Sequence, residues 1–321
     1  MMIATHRIWH RHWAISQLRL ALLILIPLSA TLNSSGASSA VAGLIQHSVV
    51  ADGHQLAVWE KSPARPNAVI LLLHGRTWSS LPDFDLQVPG ESLSFMDGLN
   101  ALGYAVYALD ARGYGATQRD ESGWLTPNRA VRDATLVIDW IKTRTALDVH
   151  LYGWSYGSMV SQLVVQRTPK KVKSVLMFGY PFDPARHVYP ADTQYPLRAP
   201  AEINTAANAA SDFIVPGAIS QAAIDVYVTA ALSADPYRVD FKNLHEWSEL
   251  NPSLVTTPTL LLEGEFDPLS GPADLPTFFS RLNTADKWWV VLAGGDHAAL
   301  LEKPRNKMLS AIDSFIKSLA R

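Results

Sequence analysis

The chain has 321 residues, 48% hydrophobic and 17% charged, a balance that suits a globular fold with a large core. A formal net charge of −2 carries no basic signature of a nucleic-acid partner. There is no cysteine, which excludes disulfides, thiolate nucleophiles and cysteine metal sites.

Residues 1–42 read as a leader rather than as part of the fold. Arg7, Arg11 and Arg19 precede the apolar run Leu20–Ile26, which Pro27 ends. Small residues follow, including Ala40-Val41-Ala42. Basic, then apolar, then A-x-A-like is the layout of a secretory signal, and the apolar run is short for a membrane span. The expectation is an exported protein, periplasmic or secreted, with no stable membrane span once the leader is cleaved; an uncleaved N-terminal anchor is the alternative. Without residues 1–42 the chain loses three arginines and no acid, and becomes more acidic.

Ile45–Val50 and Gln55–Glu60 are strand-like and flank Asp52-Gly53, a hairpin turn signal. Ala68–Leu73 is a continuous apolar run, as in a strand buried on both faces, and it ends in His74-Gly75-Arg76. A loop with Pro82, Asp83, Asp85 and Pro89 leads to helical spacing over Ser92–Leu102. Tyr104–Leu109 is the next strand and runs into Asp110-Ala111-Arg112-Gly113-Tyr114-Gly115. Asn128–Arg144 has one apolar helical face. Strand-like Val149-His150-Leu151-Tyr152 enters Gly153-Trp154-Ser155-Tyr156-Gly157, and a helical segment, Ser158–Arg167, leaves it. Further strands are expected at Val172–Phe178, Thr259–Glu263 and Lys287–Leu292, and an amphipathic helix at Pro304–Leu319.

Alternating strands and helices argue for a mostly parallel sheet covered on both faces. Between Gly179 and Thr259 there is no convincing parallel strand. Prolines crowd its start, and helical segments follow near Glu202–Phe213 and Ile219–Ala231. The expected organisation is a core of residues 43–180 and 252–321, with a helical cap or lid of residues 181–251 over the C-terminal sheet edge, where ligands bind in open α/β sheets.

The Gly-x-Ser-x-Gly pentapeptide places Ser155 on a sharp strand-to-helix turn, near a helix N-terminus. A serine hydroxyl is a weak nucleophile and needs a base, which a third group must orient. In this topology acid and histidine come from loops after later strands, in that order. Asp267 follows the Leu260-Leu261-Leu262-Glu263 strand, and His297 follows Val290-Val291-Leu292 in a glycine loop. Glu265 and Asp183 are the rivals for the acid role, and a cap for the segment after Pro268 is the structural alternative for Asp267. The oxyanion donors should be the main-chain N–H groups of Tyr156 and Arg76, with His74 bracing that loop. The Arg76 side chain either touches substrate or reaches solvent.

These motifs together resemble the α/β-hydrolase-fold serine hydrolases, in their esterase and proline-iminopeptidase-like branch. The resemblance spans about Ile45 to Arg321 and implies an eight-stranded mixed sheet with an antiparallel second strand, a helical cap after strand six, and no cofactor or metal. A serine in the nucleophile position disfavours the dehalogenases and epoxide hydrolases of this fold, which use an aspartate. The His-Gly-Gly-Gly loop of one esterase branch is absent.

The expected activity is carboxylic-ester hydrolysis through an acyl-enzyme on Ser155, on a small-molecule ester or amide. Trp78, Tyr114, Trp124 and Trp154 are candidates for the substrate pocket. The alternative is a proline-iminopeptidase-like aminopeptidase or amidase, which needs acids in the cap to hold a free amine; Glu202, Asp212, Asp225, Asp235, Glu246 and Glu249 are available. A non-catalytic binding module is the alternative from another class.

Overall fold

Five strands buried at every position need helices on both sides, and that is the arrangement found. The computed structural model describes residues 43–181, 190–270 and 275–320. The leader expected over residues 1–42 and the acid candidate Asp183 lie outside them. No helix among the described residues is long and apolar enough to cross a membrane.

Eight strands form one sheet: β1 (Ile45–Ala51), β2 (His54–Lys61), β3 (Ala68–Leu73), β4 (Tyr104–Leu109), β5 (Val149–Trp154), β6 (Ser174–Phe178), β7 (Thr259–Gly264) and β8 (Lys287–Leu292). Their order is β1-β2-β4-β3-β5-β6-β7-β8. β2 is antiparallel to both its neighbours, and every other pairing is parallel. The central strands β3 to β7 are wholly buried. β8 closes one edge and leaves Trp288 and Val291 partly in solvent.

Alternation along β3 shows how the two faces are filled. Val69, Leu71 and Leu73 join a core with the apolar stripes of α3 (Pro127–Arg144), α4 (Tyr156–Arg167) and α7 (Leu275–Arg281). Ala68, Ile70 and Leu72 join the opposite core, under α2 (Phe95–Ala101), α6 (Gln221–Ala234) and α8 (Arg305–Ser318).

Local chemistry sets the boundaries that sequence spacing misplaces. α2 begins at Phe95, three residues after the expected start, because the Ser94 hydroxyl accepts the Asp97 N–H and caps it. Pro127 opens α3 behind the cap Thr126. Where a loop is expected around Pro82, Ser80–Phe84 forms the short helix α1. The insertion is less helical than its spacing suggests: α5 covers only Ala206–Ala210, and α6 starts at Gln221 behind the cap Ser220. Asp240–Phe241 pairs in parallel with Trp124–Leu125, a two-residue ladder with no sequence signal.

Candidate active site

Ser155 stands between β5 and α4 with φ 54° and ψ −117°, a conformation an L residue rarely adopts. Such strain costs of order 1–3 kcal/mol and must be held by its surroundings. The Ser155 N–H donates to the Phe178 carbonyl at 2.9 Å. The flanking glycines are required by contact. A β-carbon at 157 would lie 2.2 Å from the Leu73 carbonyl oxygen, and one at 153 would lie 2.2 Å from the Gly157 carbonyl oxygen. The turn therefore closes only with glycine at both positions.

His297 and Asp267 meet from separate loops. Nδ1 of His297 donates to Oδ2 of Asp267 at 2.8 Å, and both residues are buried. The carboxylate only accepts, so the proton sits on Nδ1 and the Nε2 lone pair is free. Oδ1 of Asp267 also takes the Leu269 and Ser270 amides, at 2.8 and 3.3 Å, so Asp267 both caps its own loop and orients the imidazole. Burial pushes the Asp267 pKa up, but His297 and these donors bring it below its ordinary value. Burial likewise opposes protonation of His297, yet the Asp267 hydrogen bond and charge, with Asp212 and Asp296, carry its pKa above the usual imidazole value. Glu265, the nearer rival, instead accepts the Gly294 N–H at 2.8 Å and braces the histidine loop.

One cavity of about 320 Å³ contains Ser155 and His297 in its wall, together with Gly75, Arg76 and Tyr156. Tyr156 is the first residue of α4, where an N–H has no acceptor within the helix. The Arg76 guanidinium lies over the Phe241 ring, 5.2 Å from its centroid, at the cavity wall. His74 is a brace: Nδ1 donates to the Gly75 carbonyl at 2.8 Å and Nε2 accepts the Ala111 N–H at 3.1 Å. Burial lowers its pKa, which keeps this neutral tautomer in place.

The four aromatic candidates divide. Trp78 and Trp154 line the cavity. Trp154 also donates from Nε1 to the His297 carbonyl at 2.8 Å, so it holds the histidine backbone. Tyr114 does not line it. Its ring packs on His74 at 4.5 Å and its hydroxyl donates to the Arg76 carbonyl, which makes it a buttress behind the loop. Trp124 is also outside the wall. It packs on Tyr195 and donates to the Pro196 carbonyl at 3.1 Å, held there by the pairing with Asp240–Phe241.

Several cavity positions have no advance sequence signal, Asp212 excepted, which is one of the acids named for the insertion. Met159, Phe241, Leu244 and Trp247 form an apolar wall, and Asp83 and Asp212 add carboxyl groups. Asp296 ties the histidine loop to the insertion through the Ile214 and Val215 amides, at 2.7 and 2.9 Å. Gly179, just after β6, has φ +57°, and a β-carbon there would lie 2.9 Å from Cε1 of His297 and 3.2 Å from Oδ2 of Asp267. Gly179→Ala should therefore displace the imidazole and lower kcat by roughly 10²-fold, while circular dichroism stays near wild type. Unchanged kcat would show that the ring has room to spare.

A sequence model of the family described as "Serine aminopeptidase, S33" matches residues 64–304. No curated protein sequence matches the chain. Among solved structures, a serine hydrolase involved in carbazole degradation is 18% identical, with a TM-score of 0.62, covering 86% of this chain and all of that one (100%). A thermophilic esterase from Thermogutta terrifontis is 15% identical, with a TM-score of 0.59, covering 87% of this chain and 100% of its own. An epoxide hydrolase from Vigna radiata is 18% identical, also at 0.59, covering 86% and 98%. At these identities the likeness establishes the fold.

Proposed function

We propose a carboxylic-ester hydrolase acting through an acyl-enzyme on Ser155, from the premise that the chain belongs to the serine aminopeptidase S33 family and is a hydrolase of the α/β-hydrolase fold. The observation that supports this reading is the 2.8 Å His297–Asp267 hydrogen bond, with His297 lining the same cavity as a strained serine. The apolar and aromatic part of the wall, Met159, Phe241, Leu244 and Trp247, suits an uncharged acyl or alkoxy group.

The mechanism follows from the atoms present. Nε2 of His297 takes the Ser155 proton as Oγ attacks the ester carbonyl carbon. Main-chain N–H groups of Tyr156 and Arg76 hold the resulting oxyanion, helped by the positive end of α4. The alkoxide leaves with the proton from His297, giving an alcohol and the acyl-enzyme. Water then loses a proton to His297 and attacks the acyl carbon. Ser155 departs, recovers its proton, and the carboxylic acid is released. Asp267 keeps the imidazole oriented and stabilises its protonated form.

The base works only when neutral. Because its pKa lies above the ordinary imidazole value, kcat/KM should fall with decreasing pH through a midpoint above about 6.5. A pH profile with its acid limb below pH 6 contradicts that environment.

The aminopeptidase reading draws on the description of the matched family and on one acid at the cavity. Of the acids named for amine binding, Asp212 lines the cavity. Burial raises its pKa, however, which weakens it as an ammonium partner. Comparison of p-nitrophenyl butanoate with Pro-p-nitroanilide decides. The ester should give the larger kcat/KM, and preference for the anilide reverses the assignment. Export remains part of the proposal on the strength of residues 1–42, and N-terminal sequencing of the mature protein from cell fractions tests it.

A further inference from the structure

Residues of the cavity wall carry three buried polar atoms with no use in the chemistry above: Nε1 of Trp78, Oδ2 of Asp83 and the hydroxyl of Tyr156, whose ring packs on Phe241 and Trp247. Trp78 is 2% exposed and Asp83 0%, and both line the cavity with Ser155 and His297. Among the described residues, Nε1 of Trp78 and Oδ2 of Asp83 have no hydrogen-bond partner. The one hydrogen bond on the Asp83 carboxyl is to Oδ1, from the Tyr227 hydroxyl at 2.9 Å. The Gly75 amide comes close enough to favour a charged Asp83, but it makes no hydrogen bond by distance and angle. An orphaned buried polar group costs about 1–3 kcal/mol, and Trp78 and Asp83, carried by one short segment, are placed to share a partner.

The segment that carries them is held rigidly. Asp235 accepts the Ser79 and Gly115 amides, each at 2.8 Å, and Asp110 accepts the Ser80 amide at 2.9 Å. Asp110 is itself fixed by the Trp59 indole at 2.8 Å and the Ala116 amide at 3.0 Å. The two atoms are thus preorganised rather than free to fold back onto the protein.

We propose that Trp78 and Asp83 form a polar subsite that takes a hydroxyl group of the substrate, on its acyl or its alkoxy part, beside the scissile carbonyl. The chemistry selects that group. A hydroxyl oxygen accepts from the Trp78 N–H, and its own proton or second lone pair serves Asp83, charged or neutral. An ammonium group has no lone pair for Trp78. A methyl group leaves both atoms orphaned. Burial, with Asp212 and Asp235 nearby, holds the Asp83 pKa well above the usual carboxylate range, which further disfavours a cation as the intended partner through its weak negative charge.

This inference rests on the serine-hydrolase reading of Ser155, and the test separates the two. Methyl 3-hydroxybutanoate is compared with its near-isostere methyl 3-methylbutanoate, 2-hydroxyethyl butanoate with propyl butanoate, and methyl 3-aminobutanoate supplies the cationic arm. Hydrolysis of any of them reports on the ester reading; the ratios report on the subsite. In one of the first two pairs, kcat/KM should favour the hydroxyl by about tenfold, and the pair that does so identifies the acyl or alkoxy side. The ratio should collapse towards one in Trp78→Phe and persist in Asp83→Asn, which keeps a donor and an acceptor. If no ester turns over, Ser155 phosphonylation by fluorophosphonates carrying matched hydroxyalkyl and alkyl chains gives the same ratio. Equal rates within both ester pairs, a ratio unmoved by Trp78→Phe, or preference for the amine would overturn the subsite.

Discussion

Ser155→Ala should abolish ester hydrolysis, lowering kcat by about 10⁴–10⁶-fold, to whatever the oxyanion donors and binding alone supply. The same substitution should leave the protein folded. Among the described residues the serine side chain makes no hydrogen bond that secures the turn, whereas the turn backbone is tied through the Phe178 carbonyl and closed by the glycines. Alanine adopts φ 54° no more readily than serine, so stability should change little. Steady-state assay with p-nitrophenyl butanoate, alongside thermal unfolding, checks both halves. Residual activity within tenfold of wild type would mean that another nucleophile does the work.

Asp267→Asn should cost about 10⁴-fold in kcat, nearly as much. The amide has similar volume and can still satisfy the loop amides of Leu269 and Ser270 from one oxygen. It also offers an N–H, or an uncharged oxygen, to Nδ1 where the carboxylate now fixes the imidazole. The histidine then loses both its tautomer and the charge that holds its pKa up, so the acid limb of the pH profile should move to lower pH as kcat falls. Glu265→Gln is the control. Among the described residues its carboxylate meets the Gly294 amide alone, and kcat should remain within severalfold of wild type. If Glu265→Gln were the damaging change and Asp267→Asn the mild one, the acid would have to be reassigned.

The strands and the serine turn were legible because their signals are local. Ala68–Leu73 is apolar at every position, and burial on both faces demands that. Gly153 and Gly157 are read from the pentapeptide, and the contacts at 2.2 Å supply the steric reason. The loops carrying Asp267 and His297 follow from strand order alone. Other features had no local signature. Nothing in the run Asp240–Phe241 marks it as a strand, since its partner lies more than a hundred residues earlier. Phe241 and Trp247 reach the cavity through the path of the insertion, which no periodicity encodes. Nearness to the motif loops marks Trp124 and Tyr114 as pocket residues, but tertiary partners turn one towards Tyr195 and the other behind His74. Asp83 sat in what reads as a proline-broken loop, although Ser80–Phe84 is helical.

The most direct test of the central claim is active-site labelling by a fluorophosphonate, read by mass spectrometry of the digested protein. Folded wild-type protein should carry one adduct, on the peptide containing Ser155, and His297→Ala should label far more slowly. Folded wild-type protein that takes no adduct, or takes it on a different residue, would contradict the account.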